Sequence, residues 1–130
     1  MTWQQTWRMS VISTVLAAAA CLVFNEIYNQ AFATNFSTIA GATNIVASVL
    51  IGCTLMAIGY KLTITKAVKW LGWVNVVYGL LSFISIIGVL AFSLPLETES
   101  PELFPGLMIP MHFFPLLSFL IVQPFFKHSK

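Results

Sequence analysis

Two residues of this 130-residue chain could do acid–base or ligand-binding chemistry in an apolar setting, Glu26 and His112. Glu26 closes the first long apolar run, within Asn25-Glu26-Ile27-Tyr28-Asn29, and no other carboxylate stands at or near the depth of such a run. A charge at a bilayer centre costs roughly 2.5–3.5 kcal/mol and less towards the interface, so it calls for a partner or a purpose. His112 lies in the last apolar run between Pro110 and Pro115, and an imidazole can exchange its proton near neutral pH. Asn44 and Asn25 carry amides at comparable depth. If Glu26, Asn44 and His112 converge from three helices, a carboxylate and an imidazole share a half-buried pocket beside lipid. Such a pair could do general acid–base work, gate a proton, or bind the polar head of a lipophilic molecule. Each residue also has a plainer expectation. Glu26 reaches interfacial water, His112 bonds a carbonyl freed by a proline or an Asn, and Asn25 serves helix packing.

Other chemistry finds little footing. Cys21 and Cys53 differ in depth by roughly 10 Å at a 1.5 Å rise per residue, too far for a disulfide, and are not spaced as a redox or zinc pair. Only one histidine lies in an apolar run, so a two-histidine haem would need a second chain. There is no Gly-rich phosphate loop and no Ser-His-Asp set, so we expect no metal, no cofactor and no catalytic motif. Three lysines in one short bend, Lys61, Lys66 and Lys69, are no nucleic-acid-binding stripe.

The elements that must position these residues follow from composition. The chain is 58% hydrophobic and only 8% charged, with a mean hydropathy of +0.90, whereas soluble domains average about a quarter charged residues. Lipid solvates such a surface and water does not. Four runs, near Met9–Tyr28, Thr38–Tyr60, Ala67–Ser93 and Pro105–Phe126, are each long enough for a bilayer core of about 30 Å, which takes about 20 helical residues. The connections are short and lack a Gly/Ser linker, so residues 1–130 form one domain.

Charge sets the expected orientation. With the chain starting inside, Arg8, Lys61, Lys66, Lys69, Lys127 and Lys130 fall on the cytoplasmic side, and Glu26, Glu97, Glu99 and Glu102 on the other. Basic residues near span ends determine topology, which leaves both termini cytoplasmic and loops 29–37 and 94–104 extracytoplasmic, in the inner or plasma membrane of a bacterial cell. Trp3, Trp7, Trp70 and Trp73 then sit at the cytoplasmic headgroups, where the lysines meet anionic lipid. A lipoprotein signal, with Cys21 following four alanines, is the alternative for the N-terminus, but Leu22-Val23-Phe24 continue the apolar run past the cleavage point. Asn35-Phe36-Ser37 fits the glycosylation pattern so close to a span that we treat it as chance.

Small and polar residues mark the faces expected to pack. Thr14, Ala18, Cys21, Asn25 and Asn29 share one face of the first helix. Gly41, Ser48, Gly52 and Gly59 line the second, with Asn44. Gly72, Asn75, Gly79 and Ser82 line the third. Small faces let helices approach closely in lipid, so the second and third helices are expected to form a tight seam with their amides bonded across it. Ser100-Pro101-Glu102 reads as a helix start with Ser at the cap, broken again at Pro105-Gly106. Pro110, Pro115 and Pro124 kink the fourth helix and free the carbonyls of Gly106, Met111 and Leu120.

Four helices in a short chain with one Glu in the first, Glu26, resemble the small multidrug transporters. The resemblance implies that Glu26 would exchange protons for a cation. The chain departs from that pattern in its complete charge bias and in the position of Glu26 near the outer edge, and no family is assigned. The fold expected is an all-α membrane protein, a left-handed four-helix up-down bundle. The function expected is that of a non-enzymatic accessory or interaction subunit, in a larger membrane complex or a homo-oligomer. The alternatives are a binder of a lipophilic ligand, or an enzyme acting on one, through Glu26 and His112, and a small proton-coupled transporter.

Overall fold

The computed structural model describes residues 1–91, 94, 98 and 100–127. It is all helical among them: α1 (Trp3–Phe32), α2 (Ala42–Lys66), α3 (Leu71–Ala91) and α4 (Phe104–Lys127), with 3-10 turns at Val68–Trp70 and Pro101–Leu103. All four helices are long and apolar enough to cross a membrane. Glu97, Glu99, Lys130 and the expected end of the third span, Ser93, lie outside the described residues.

The helices start and stop for local reasons. Thr2 caps α1 through a reciprocal box with Gln5: the Gln5 amide donates to the Thr2 hydroxyl at 3.2 Å and the Thr2 amide to the Gln5 side chain at 2.8 Å. Such a box satisfies two otherwise orphaned donors, and it starts α1 six residues before the expected Met9. Ala33, at φ 51°, ends the helix in the left-handed region. In the turn that follows, the Ser37 amide donates to Asn35 Oδ1 at 3.1 Å, and Phe36 is buried edge-on against Phe104 with ring centroids 5.4 Å apart. Gly41 belongs to this turn, since a Cβ there would stand 2.7 Å from the Ser37 carbonyl oxygen.

At the other connection the expected break at Pro105-Gly106 does not occur, and α4 runs on through both residues. The amides of a helix's first turn have no intrahelical acceptor, so Pro105 costs nothing there. Ser100 does stand at the start, but at φ 49° and with no hydrogen bond from its side chain. Gly106 is needed because the Tyr28 ring lies over it, its Cζ within 3.3 Å of where a Cβ would be. From there the Tyr28 hydroxyl donates to the Leu103 carbonyl at 2.7 Å.

The inward face of α1 is mostly small and polar, and its outward face is large and apolar. Ser10, Ser13, Thr14, Ala17, Ala18 and Cys21 of α1 are buried, whereas Val15, Val23 and Ile27 on its other face are exposed. The small face inferred for α1 is therefore an inward one. It faces α2 and α4, with which α1 makes the most extensive contacts in the bundle. The Ser10 and Thr54 hydroxyls meet at 3.0 Å across the α1–α2 seam. At the same end of the bundle Lys61 Nζ lies 3.1 Å above the Trp3 ring, so the two helices are antiparallel.

The expected α2–α3 seam is corrected. The two helices meet at one end only, where Tyr78 lies over Gly59 and its hydroxyl donates to the Met56 carbonyl at 2.9 Å. Built side-chain carbons at Gly52, Gly72 and Gly79 would meet no atom within 4 Å. The amides do not pair across the seam either. Asn44 donates to the Ile39 carbonyl at 3.0 Å, and Asn75 exchanges two hydrogen bonds with Gln123 of α4, at 3.1 and 3.2 Å. The physical reason is where α3 finds its partners: Asn75 pairs with Gln123 and α3 leans chiefly on α4, while Tyr78 ties it to α2 at the Met56 carbonyl.

The Asn75–Gln123 pair carries a stability prediction. Polar pairs inside a membrane couple by about 0.6 kcal/mol on average and at most about 1.7. Two simultaneous bonds place this pair at the upper end. A double-mutant cycle with Asn75→Leu and Gln123→Leu should give a coupling above about 1 kcal/mol in detergent unfolding. Additive losses would mean the two amides do not depend on one another.

Candidate functional site

The gap between α2 and α3 is a cavity of about 580 Å³, within the roughly 300–1,000 Å³ of small-molecule sites. Its rim is exposed: Asn44, Ser48 and Leu55 on α2, Leu81 and Ser85 on α3. Its floor is buried and comes from the other helices and the inner side of α2: Cys21, Ile45, Val49, Met111 and Leu116. The Tyr78–Met56 clasp closes one end, and the turn residues Ile39 and Ala40 close the other.

Most of the lining is aliphatic or thioether. Polar atoms come from Asn44, Ser48, Ser82, Ser85, His112 and Tyr78. No Asp, Glu, Lys or Arg lines the cavity among the described residues. Two consequences of the fourth helix's sequence shape the floor. Pro115 has no amide hydrogen, so the Met111 carbonyl lacks its helical donor, and the Cys21 thiol turns to that oxygen with sulfur 3.8 Å away. His112 bonds not to a proline-freed carbonyl, as expected, but to the Met108 carbonyl one turn back on its own helix, with Nδ1 at 2.7 Å.

Of the four candidate ligand-binding residues, the fold brings His112 and Asn44 to this cavity and leaves Glu26 and Asn25 out of it. Glu26 is exposed, and its carboxylate accepts from the Gln30 side chain at 2.6 Å. Asn25 accepts from the Asn29 amide at 3.4 Å, and Asn29 in turn accepts from the Thr34 hydroxyl at 3.1 Å. These two residues finish the end of α1. Depth alone could not separate the pairs, because rotation about each helix axis decides what a residue faces. Glu26→Gln and His112→Asn should therefore be additive in stability to within about 0.5 kcal/mol. A larger interaction in thermal unfolding of the four variants would bring Glu26 back to the site.

Ser48, Gly52 and Ser82, inferred as packing residues, line the cavity. Gly59 alone among the glycines of that seam has a close neighbour on the facing helix. The sequence reading passed over Tyr78, Ser85 and Gln123. Gln123 was findable, as the one glutamine inside an apolar run, and so was Tyr78, a hydroxyl in mid-span that needs an acceptor. Comparison with protein-family models, with curated proteins and with solved structures gave no match.

Proposed function

We propose that this chain is an integral membrane protein, both termini cytoplasmic and α4 bent at its prolines, that binds a lipophilic ligand in the α2–α3 cavity without transforming it. The observation carrying this reading is the cavity itself. It has an apolar floor, exposed rims on two helices that would face lipid, and a few polar groups in its lining. That is the composition of small-molecule sites, in which apolar area gives affinity and a few polar atoms give orientation. Glu26 has no place in it, which weakens both the acid–base reading and proton-coupled transport.

An aliphatic photoprobe tests the binding. In membranes it should label peptides containing Ile45–Met56 and Met108–Leu116 ahead of the outward faces of α1 and α4. Even labelling of every lipid-facing residue would remove the site. Orientation is tested by single cysteines at the exposed Thr38 and Lys66. An impermeant thiol reagent applied to intact cells should reach the first and not the second, and the reverse would invert the topology. The native Cys21 and Cys53 are buried and should contribute little background.

The second reading, an accessory subunit in a larger complex, draws on α3. Val89 is its one buried residue, and Val76, Leu80, Phe83, Ile84, Ile87 and Leu90 are exposed. A partner helix seated there would protect α3 from the same photoprobe.

A further inference from the structure

We infer that the ligand of the α2–α3 cavity is an uncharged amphiphile whose polar end carries an O–H donor, a long-chain alcohol or a phenol with an aliphatic tail. The inference rests on the reading of this cavity as a binding site and adds which chemistry it selects. It follows from what the polar lining atoms have left to offer. A carbonyl oxygen can only accept, so the 2.7 Å contact between His112 Nδ1 and the Met108 carbonyl puts the proton of the neutral ring on Nδ1. A neutral imidazole has one N–H, so Nε2, on the ring edge turned away from that carbonyl, is a bare acceptor. Ser85 donates its hydroxyl proton to the Ser82 carbonyl at 2.7 Å, which leaves only lone pairs on its Oγ. Asn44 has one amide hydrogen on the Ile39 carbonyl, and its Oδ1 remains an acceptor. The hydrogens still to be given are those of Ser48, Ser82 and the second Asn44 N–H.

Counted as lone pairs, two on each oxygen against one hydrogen from each hydroxyl, acceptors are in excess, and Nε2 of the ring has no partner among the described residues. A ligand hydroxyl satisfies it, whereas an ether or ester oxygen faces a lone pair with a lone pair. Sites built to hydrogen-bond a hydroxyl reject the analogue lacking it strongly, because the site's own polar group is left unpaired. Charged heads are disfavoured separately. No ionised side chain lines the cavity among the described residues, so a carboxylate or phosphate entering it would be desolvated without a counter-charge. The aliphatic tail meets Ile45, Val49, Leu55, Leu81 and Leu116.

Three probes with one chain length separate the possibilities: hexadecanol, its methyl ether and hexadecanoic acid, competed in equal amounts on the full chain in mild detergent and read by native mass spectrometry. The alcohol should be retained at least tenfold over the ether and over the acid, and His112→Phe should bring the alcohol-to-ether ratio close to one. Equal retention of alcohol and ether by the wild-type chain overturns this inference while leaving the cavity a lipophile site. Preferential retention of the acid also overturns it, because the site would then select a carboxyl head over a hydroxyl. Retention of none of the three overturns the binding reading as a whole. A second measurement does not depend on the variant folding. Nitrogen NMR of His112, with His128→Asn removing the other histidine, should show Nδ1 protonated and Nε2 bare, with the Nε2 resonance moving on addition of the alcohol and not of the ether. A proton on Nε2 in the empty protein would overturn the assignment.

Discussion

Gly59→Leu should destabilise the bundle by about 3 kcal/mol, whereas Gly52→Leu, one helical face and two turns away, should cost less than about 1. The difference comes from what each glycine meets. The Tyr78 ring lies on Gly59, with its Cζ 3.4 Å from where a Cβ would be, and the same tyrosine's hydroxyl is held by the Met56 carbonyl at 2.9 Å. A leucine there must displace an aromatic ring and break a half-buried hydrogen bond. Overpacking costs typically 1–3 kcal/mol and the lost bond about 1 more. Gly52 opens onto the cavity and has no atom within 4 Å of a built Cβ. Thermal unfolding in one detergent distinguishes the two. A sharper version uses Gly59→Ala, whose methyl group collides chiefly with the tyrosine hydroxyl, so Tyr78→Phe should recover part of that variant's loss. If the double variant is no better than Gly59→Ala, the Tyr78 hydroxyl does not occupy that place.

Gly52→Phe is expected to abolish ligand retention with stability nearly unchanged. The ring would enter open volume beside Val49, Leu55 and Met56, which line the same cavity, and fill the space meant for an aliphatic tail. Retention of the alcohol should fall at least tenfold, equivalent to about 1.4 kcal/mol of binding, while the unfolding midpoint stays close to wild type. Binding and stability thereby separate in one residue, which a merely structural glycine would not allow. Undiminished binding in Gly52→Phe would mean that lipophiles associate with the outer surface and not with the gap between α2 and α3.

The sequence by itself determined what depends on composition and on distance along a helix. Four helices of spanning length follow from four apolar runs, because each is long enough for a bilayer core. The inward small face of α1 follows from Thr14, Ala18 and Cys21 at helical spacing, and their burial agrees. His112 and Asn44 could be singled out because a polar group in an apolar run needs a partner. Tertiary structure decided everything that depends on rotation about a helix axis and on which neighbour wins. The same small-residue pattern meant a closed seam for α1, which packs extensively on both α2 and α4, and an open cavity for α2, because α3 leans on α4 and is tied to α2 only through Tyr78. Asn75 chose Gln123 over α2, and the Met111 carbonyl, freed by Pro115, took the thiol of Cys21 and not the ring of His112. Glu26 left the site because its carboxylate points along its own helix to Gln30. A side chain's depth is counted along the chain, but its partner is set by packing between helices.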